Sequence, residues 1–162
     1  MNLIAEAIAD AFTGSLPDLA ETIRILVRLT AALLAGAVIG MQRQRKGKPA
    51  GLRTHILVCM GTALFVIAGL EAGMGQDALS RIVQGLTTGI GFLGAGAILK
   101  MESKAEIRGL TTAAGIWLTA AIGVVVGLGR LGTAAIAVVF AWIVLAVVVK
   151  LEGRVEGTDD RA

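Results

Sequence analysis

The chain alternates long apolar stretches with short charged loops. Five apolar stretches follow one another at Ile23–Gln42, Thr54–Gly73, Ile82–Leu99, Gly109–Gly129 and Leu131–Val149, and the last three contain no Asp, Glu, Lys or Arg. About 20 apolar residues in a helix cross the hydrocarbon core of a bilayer, and lipid offers the backbone no hydrogen bonds. The pattern therefore predicts an all-α membrane protein, built as a bundle of about five transmembrane helices.

Residues 1–20 show a different pattern. Apolar side chains recur at helical spacing from Leu3 to Phe12, next to several acids and no basic residue. This predicts a short amphipathic helix on the membrane surface at 1–20, ahead of a transmembrane domain at 21–150 and a cytoplasmic tail at 151–162. Asp18 is placed to cap the first spanning helix. The N-terminus lacks the positive region of a signal peptide, so we expect the first span to be retained.

Composition and charge support a membrane protein and predict its orientation. Hydrophobic residues make up 56% of the chain and the mean hydropathy is +0.80, whereas a soluble domain is about 45–50% apolar. The loop at 43–53 carries five basic residues and no acid, whereas the loop at 71–81 carries Glu71, Asp77 and Arg81. The positive-inside rule then predicts an N-terminus outside and a C-terminus in the cytoplasm. Because membrane orientation accounts for the basic loops, the net charge of +3 does not indicate a nucleic-acid partner, and we predict none.

Glycines cluster in the third stretch. Gly89, Gly91 and Gly94 fit the dinucleotide pattern GxGxxG, but that pattern needs a preceding strand and here lies inside an uncharged apolar run. These glycines predict either a thin helix face against which another backbone packs, or a break in the helix that opens onto a cavity. The GxxxG pairs Gly36–Gly40 and Gly123–Gly127 predict close helix packing, either within the bundle or between protomers.

A short repeat occurs in the third and fourth spans, which run in opposite directions in the predicted topology. The sequence GLTT stands at Gly85–Thr88 and again at Gly109–Thr112. Inverted repeats interrupted by glycine are one signature of a transporter site, whereas each threonine can also bond back to its own helix. The candidate residues for helix packing or a pathway are Gly89, Gly91, Gly94, Gly96, Thr87, Thr88, Thr111 and Thr112.

Few ionisable groups lie within the spans. Arg28 lies inside the first span, where a cation must either snorkel to the headgroups or find a partner. Glu71 and Asp77 fall on the same side in the predicted topology, so one alternative is a buried or interfacial ion-pair cluster of Arg28, Glu71 and Asp77. The chain has one His, one Cys and no cluster of carboxylates, so we predict no metal site, no cofactor and no enzymatic activity.

Three motifs carry a family resemblance: GKPAGLRTH at 47–55, GIGFLGAG at 89–96 and RGLTTAA at 108–114. Through them, and over roughly residues 24–149, the chain resembles the MgtC/SapB family of bacterial inner-membrane proteins. The resemblance implies a multi-pass protein of the bacterial inner membrane, linked to magnesium homeostasis, acid resistance and the virulence of pathogens inside macrophages. It also implies a candidate cytoplasmic basic cluster for an acidic partner, a lipid headgroup or a phosphate-bearing ligand: Arg43, Arg53, His55 and Arg108.

Two departures from the family pattern matter. The family usually has GLERE where this chain has GMQRQ at 40–44, so a role that rests on those carboxylates is not carried over to Gln42 and Gln44. In length the chain resembles the short members of the family, which lack the soluble C-terminal domain of the virulence-type members.

Two hypotheses of function follow. The first is a non-enzymatic inner-membrane protein that supports adaptation to low magnesium or acid stress by binding another membrane protein or itself, and its uncovered small-residue faces favour a homo-oligomer in the lipid bilayer. The alternative is a transporter or channel for magnesium, protons or a small solute, lined by the Gly-rich third helix. A transporter predicts a break near Gly89–Gly96 and a cavity that reaches the threonines. A packing protein predicts continuous helices with those glycines against a neighbour.

Overall fold

The computed structural model describes residues 3–6, 9, 17–101 and 106–148. Residues 3–6 are helical, and both Leu3 and Ile4 are exposed. Most of the predicted surface helix at 1–20 and the predicted tail at 151–162 lie outside the described residues. The transmembrane part is described continuously from Pro17 to Val148, apart from a gap at 102–105.

Five long α-helices build the described part of the chain, as the apolar pattern predicts. They are α1 Leu19–Arg45, α2 Leu52–Glu71, α3 Gln76–Gly96, α4 Leu110–Gly127 and α5 Leu131–Ile143. A π-helical turn at Val144–Val148 continues α5. Helices α1, α2 and α4 are each long and apolar enough to cross a membrane, and the run Leu131–Ala146 is a shorter apolar helix. The structure confirms the predicted helical membrane bundle.

Two local features differ from the sequence prediction. A short antiparallel ribbon joins α3 to α4, with strands β1 Leu99–Met101 and β2 Glu106–Arg108. Helix α3 begins at Gln76 rather than at Ile82, because the polar segment before the apolar run joins the helix and places Asp77 in its first turn. A carboxylate at that position is favourable next to the positive end of the helix dipole.

Local chemistry fixes the ends of two helices. Asp18 Oδ1 accepts a hydrogen bond from the backbone N–H of Glu21 at 2.7 Å, which confirms the predicted cap of α1. Gly109 precedes α4 with φ +98°, and a Cβ there would collide with the carbonyl oxygen of Ala97. Because only glycine suits both the left-handed backbone and this close approach, Gly109 holds the end of α3 against the start of α4.

The centre of the bundle consists of α1, α2 and α4. Their backbones approach closely because glycines face the neighbouring helix. A Cβ on Gly36 would lie 2.6 Å from the carbonyl oxygen of His55, and one on Gly127 would lie 2.7 Å from that of Ala63. The GxxxG pairs therefore pack α1 and α4 against α2 within one chain. Helix α5 packs along α1 and α4, whereas α3 packs mainly along α4 and less extensively along α2.

Candidate functional site

The polar cluster formed by Arg43, His55 and Thr112 lies at one end of the three-helix centre. Arg43 stands in the last turn of α1, His55 in the first turn of α2 and Thr112 in the first turn of α4. The three residues are 3%, 0% and 2% exposed. They meet because the connection from α1 to α2 is short and because Gly109 brings the start of α4 to the same end of the bundle.

Hydrogen bonds orient the side chains of the polar cluster. Arg43 Nη2 donates to Thr112 Oγ1 at 2.6 Å. His55 Nδ1 lies 2.9 Å from the carbonyl oxygen of Gly51, and since a carbonyl only accepts, Nδ1 carries a proton and donates it. The neutral ring then presents Nε2 as an acceptor. A Cβ on Gly40 would lie 3.0 Å from His55 Cβ and one on Gly115 would lie 3.6 Å from Nε2, so α1 and α4 hold the ring between them.

Two nitrogens of the polar cluster, Arg43 Nε and His55 Nε2, are buried and have no hydrogen-bond partner among the described residues. The first is a donor and the second an acceptor in the neutral ring. No carboxylate in the described segments forms an ion pair with Arg43; the ion pair found there joins Arg24 to Glu21 at 2.6 Å on the surface. A buried guanidinium without a countercharge is unfavourable, so the cluster retains hydrogen-bonding capacity for a water molecule or an anion.

The structure divides the predicted cytoplasmic basic cluster. Arg43 and His55 enter the buried polar cluster, whereas Arg53 and Arg108 are exposed. Arg53 precedes His55 by two residues on α2, and because a helix turns about 100° per residue the two side chains point to nearly opposite sides. The four residues therefore do not form one surface for an acidic ligand.

Arg28 has a backbone partner rather than the predicted carboxylates. Its Nη1 donates to the carbonyl oxygen of Gly127 at 3.1 Å. This oxygen belongs to the C-terminal end of α4, where carbonyls lack partners within the helix and the helix dipole is negative. Glu71 and Asp77 are both exposed, and no ion pair joins either of them to Arg28 within the described ranges. The C-terminal end of α4 thus provides the negative electrostatic potential beside Arg28 that the ion-pair alternative assigned to Glu71 and Asp77.

The candidate glycines of α3 lie on a continuous helix. Helix α3 runs without a break through Gly89–Gly96. A Cβ on Gly89, Gly91 or Gly96 would meet nothing within 4 Å, whereas one on Gly94 would lie 3.7 Å from Ala113 Cβ. Three of the four glycines therefore face no residue in the part of the chain that the structure describes.

Of the four candidate threonines, Thr112 alone reaches the polar cluster. Thr87 and Thr88 are exposed and donate to the carbonyl oxygens of Val83 and Gln84, at 2.9 and 3.0 Å. Thr111 is exposed on α4, although it directly precedes the buried Thr112. The two GLTT copies thus stand in different environments, and the candidate threonines do not line a shared cavity.

Comparison with known proteins establishes the relationship of the chain. The family model described as the MgtC family matches residues 29–154. The chain belongs to the MgtC family. The match includes the whole polar cluster, as well as Gln42 and Gln44. No solved structure matches the protein.

Several curated proteins are similar to the chain. Protein SrpB of Synechococcus elongatus is 52% identical over 113 residues, which cover 63% of this chain and 62% of the relative. The putative magnesium transporter YhiD of Escherichia coli K12 is 49% identical over 115 residues, which cover 67% of this chain and 53% of the relative. Protein MgtC of Salmonella typhimurium LT2 is 45% identical over 105 residues, covering 65% of this chain and 44% of the relative. The chain thus spans about half the length of the curated relatives it matches.

Gln42, which departs from the usual MgtC pattern, has a specific partner. Its Nε2 donates to the carbonyl oxygen of Leu145 at 2.6 Å, in the π-helical turn that continues α5. An ionised glutamate has no donor for this oxygen. Gln44 Oε1, in contrast, accepts from the backbone N–H of Leu52 at 3.2 Å, and a carboxylate accepts equally well. No sequence signal points to the Gln42 contact, because a single π-helical turn has no readable apolar period.

Proposed function

We propose that this MgtC-family chain is a non-enzymatic protein of the bacterial inner membrane that supports adaptation to low magnesium or acid stress. It works by binding a second membrane protein or a second copy of itself through α3. The names of the relatives YhiD and MgtC support the link to magnesium, since YhiD is described as a putative magnesium transporter. The open surface of α3 supports the binding role.

The observation that carries this proposal is the uncovered glycine face of α3. A groove of about 630 Å³ lies between α2 and α3. Gly61, Gly85 and Gly89 line it, and a Cβ on any of them would meet nothing within 4 Å. Membrane helices associate where small residues let backbones approach, and the GxxxG faces of α1 and α4 are already filled by α2 of the same chain. The α3 face is thus suited to a helix from outside the chain.

Association in the membrane tests the proposal. We expect Gly89→Leu to reduce self-association, measured by single-molecule photobleaching in bilayers, and to reduce growth of a strain lacking the chromosomal gene in low magnesium or acid. Gly132→Leu is the matched control, because Gly132 is also open and exposed but lies on α5. Lost growth with intact self-association would identify another membrane protein as the partner. Unchanged association together with unchanged growth would overturn the proposal.

Orientation is part of the same proposal: the N-terminus lies outside and the C-terminus in the cytoplasm. The five basic residues at 43–53 support it, and α1 and α5 end on the same side, where Gln42 meets Leu145. Cys59 is buried, so a new surface cysteine is the main target for a membrane-impermeant thiol reagent. We expect Met74→Cys to react in intact cells and Lys48→Cys to react only after permeabilisation. The reverse pattern would invert the topology.

A transporter is the second candidate, favoured by the unpaired nitrogens of the polar cluster and by the description of YhiD as a putative magnesium transporter. The described residues contain no group of three or more His, Cys, Asp or Glu side chains that could hold a metal ion, and Arg43 repels a cation from the cluster. A path for protons or a small solute therefore fits better than one for magnesium. Flux of protons and of magnesium into proteoliposomes, with Gly91→Leu as the comparison, tests this candidate. Flux that this substitution abolishes would favour it over the binding role.

A further inference from the structure

A second groove runs along the opposite side of the bundle, between α1 and α5. It encloses about 830 Å³. Leu34, Val38 and Met41 of α1 form one wall, and Trp142 and Ala146 form the other. The walls are apolar and lie within the spanning length of α1, so lipid chains rather than water fill the space.

One end of this groove is cationic. Arg45 and Lys46 line it together with the apolar walls, and both residues are exposed. No carboxylate in the described segments forms an ion pair with either of them. An apolar groove that ends at two cations without an ion pair among the described residues matches the shape and charge of an acyl chain attached to a phosphate.

Gln42 also lines the groove, and its amide nitrogen is bound to the carbonyl oxygen of Leu145. Its Oε1 is buried, so the headgroup of a lipid in the groove does not reach it. Selectivity among lipids therefore depends on the two cations.

We propose that the groove between α1 and α5 binds an anionic phospholipid. One acyl chain lies between Val38 and Trp142, and the phosphate meets Arg45 and Lys46. This site is independent of the α3 face, so either proposal can fail without the other.

The two tryptophans of the chain provide a matched pair of reporters. Trp142 is 48% exposed in the proposed site, and Trp117 is 51% exposed in a separate cavity of about 260 Å³ between α3 and α4. No charged residue lines the Trp117 cavity among the described residues. Quenching by lipids with brominated acyl chains is therefore measured in Trp117→Phe, which retains Trp142, and in Trp142→Phe, which retains Trp117.

The expected result is selective quenching of Trp142. In Trp117→Phe, brominated phosphatidylglycerol should bind more tightly than brominated phosphatidylcholine. Each groove cation should raise the ratio of the two binding constants by a factor of about five. Substitution with Arg45→Gln and Lys46→Gln in that background should return the ratio to near one without changing quenching by phosphatidylcholine. Arg53→Gln is the charge-matched control and should keep the ratio.

Each contrary outcome overturns a stated part of the proposal. Equal quenching of Trp142 by both lipids, or equal selectivity at Trp117, would exclude a specific anionic site. Selectivity that survives removal of both cations would exclude the phosphate contact. Complete absence of quenching at Trp142 would show that protein, such as a second copy of the chain, fills the groove.

Discussion

Glycine has opposite consequences in the three-helix centre and in α3. In the centre, Gly36, Gly123 and Gly127 let α1 and α4 approach the backbone of α2, and a methyl group at any of them would collide with it. On α3, Gly89 and Gly91 face no atom of the chain within 4 Å. The spacing of glycines is similar in both regions, so the motif alone does not show whether a face is filled. The difference teaches that small residues close the centre of this fold and leave its side open.

The largest expected effect comes from filling the centre. Gly123→Leu should destabilise the protein by about 3 kcal/mol or more, because its Cβ would collide with Thr62 Oγ1 and the backbone of Cys59, which have no room to move. Thermal unfolding of the detergent-purified protein measures this loss. Gly91→Leu carries the same added volume on the open face and should change stability by less than about 1 kcal/mol. Equal losses of stability at the two positions would contradict the difference between the filled centre and the open face of α3.

A second pair of substitutions compares two neighbouring threonines of α4, of which only Thr112 belongs to the polar cluster. Thr112→Val should lower the free energy of unfolding by about 2 kcal/mol, because it removes the acceptor of the buried Arg43 guanidinium and leaves a charged donor unpaired. Thr111→Val is the same substitution one position earlier, on an exposed side chain, and should stay within about 0.5 kcal/mol. Chemical denaturation in mixed micelles compares the two. A neutral Thr112→Val would mean that another acceptor, such as a bound water, takes the place of the hydroxyl.

A third pair of substitutions compares Gln42, which joins α1 to α5, with Gln44, which does not. These are the two positions at which the family resemblance led us to expect acids. Gln42→Glu should destabilise the bundle by about 1–2 kcal/mol at neutral pH, because the ionised carboxylate cannot donate to the Leu145 carbonyl and faces it with like partial charge. Gln44→Glu keeps an acceptor for the Leu52 N–H and should be neutral within about 0.5 kcal/mol. Unfolding of both variants side by side provides the measurement. Equal tolerance of the two acids would remove the structural role of the Gln42 amide.

The smallest expected effect has the opposite sign. Gly91→Ala should stabilise the protein by up to about 1 kcal/mol, because alanine is the better helix former and the added methyl group meets nothing. Gly36→Ala should instead destabilise it, since the methyl group would lie 2.6 Å from the His55 carbonyl oxygen. Thermal shifts of the two alanine variants, moving in opposite directions, would support the comparison. A destabilised Gly91→Ala would reveal a neighbour on α3 in the folded assembly.

The apolar pattern predicts the five helices because each span must satisfy its own backbone in lipid, and it locates most of their ends within a few residues. The same pattern does not predict the ribbon between α3 and α4, because a strand of three residues is too short to show an alternation of apolar and polar residues. The site was harder to predict. Arg28 pairs with a backbone carbonyl, which has no sequence signature, and the choice of Thr112 over Thr111 depends on the rotation of α4. Arg43 and His55 were in the predicted basic cluster, but only tertiary packing shows that they are buried.

The Gly109 junction determines how α3 can move. A Cβ there would collide with the backbone of Ala97, and the paired strands β1 and β2 close the same end, whereas the other end of α3 meets α2 through side chains, Leu79 and Ile82 against Gly69. Any displacement of α3 that admits a partner is therefore a pivot about this junction, with the longest arc at Asp77. Spin labels at Asp77 and Leu128 should then show a wider distance distribution than labels at Leu93 and Thr111, and equal widths would mean that α3 shifts as a whole. A helix held through its backbone at one end and through movable side chains at the other is a lever.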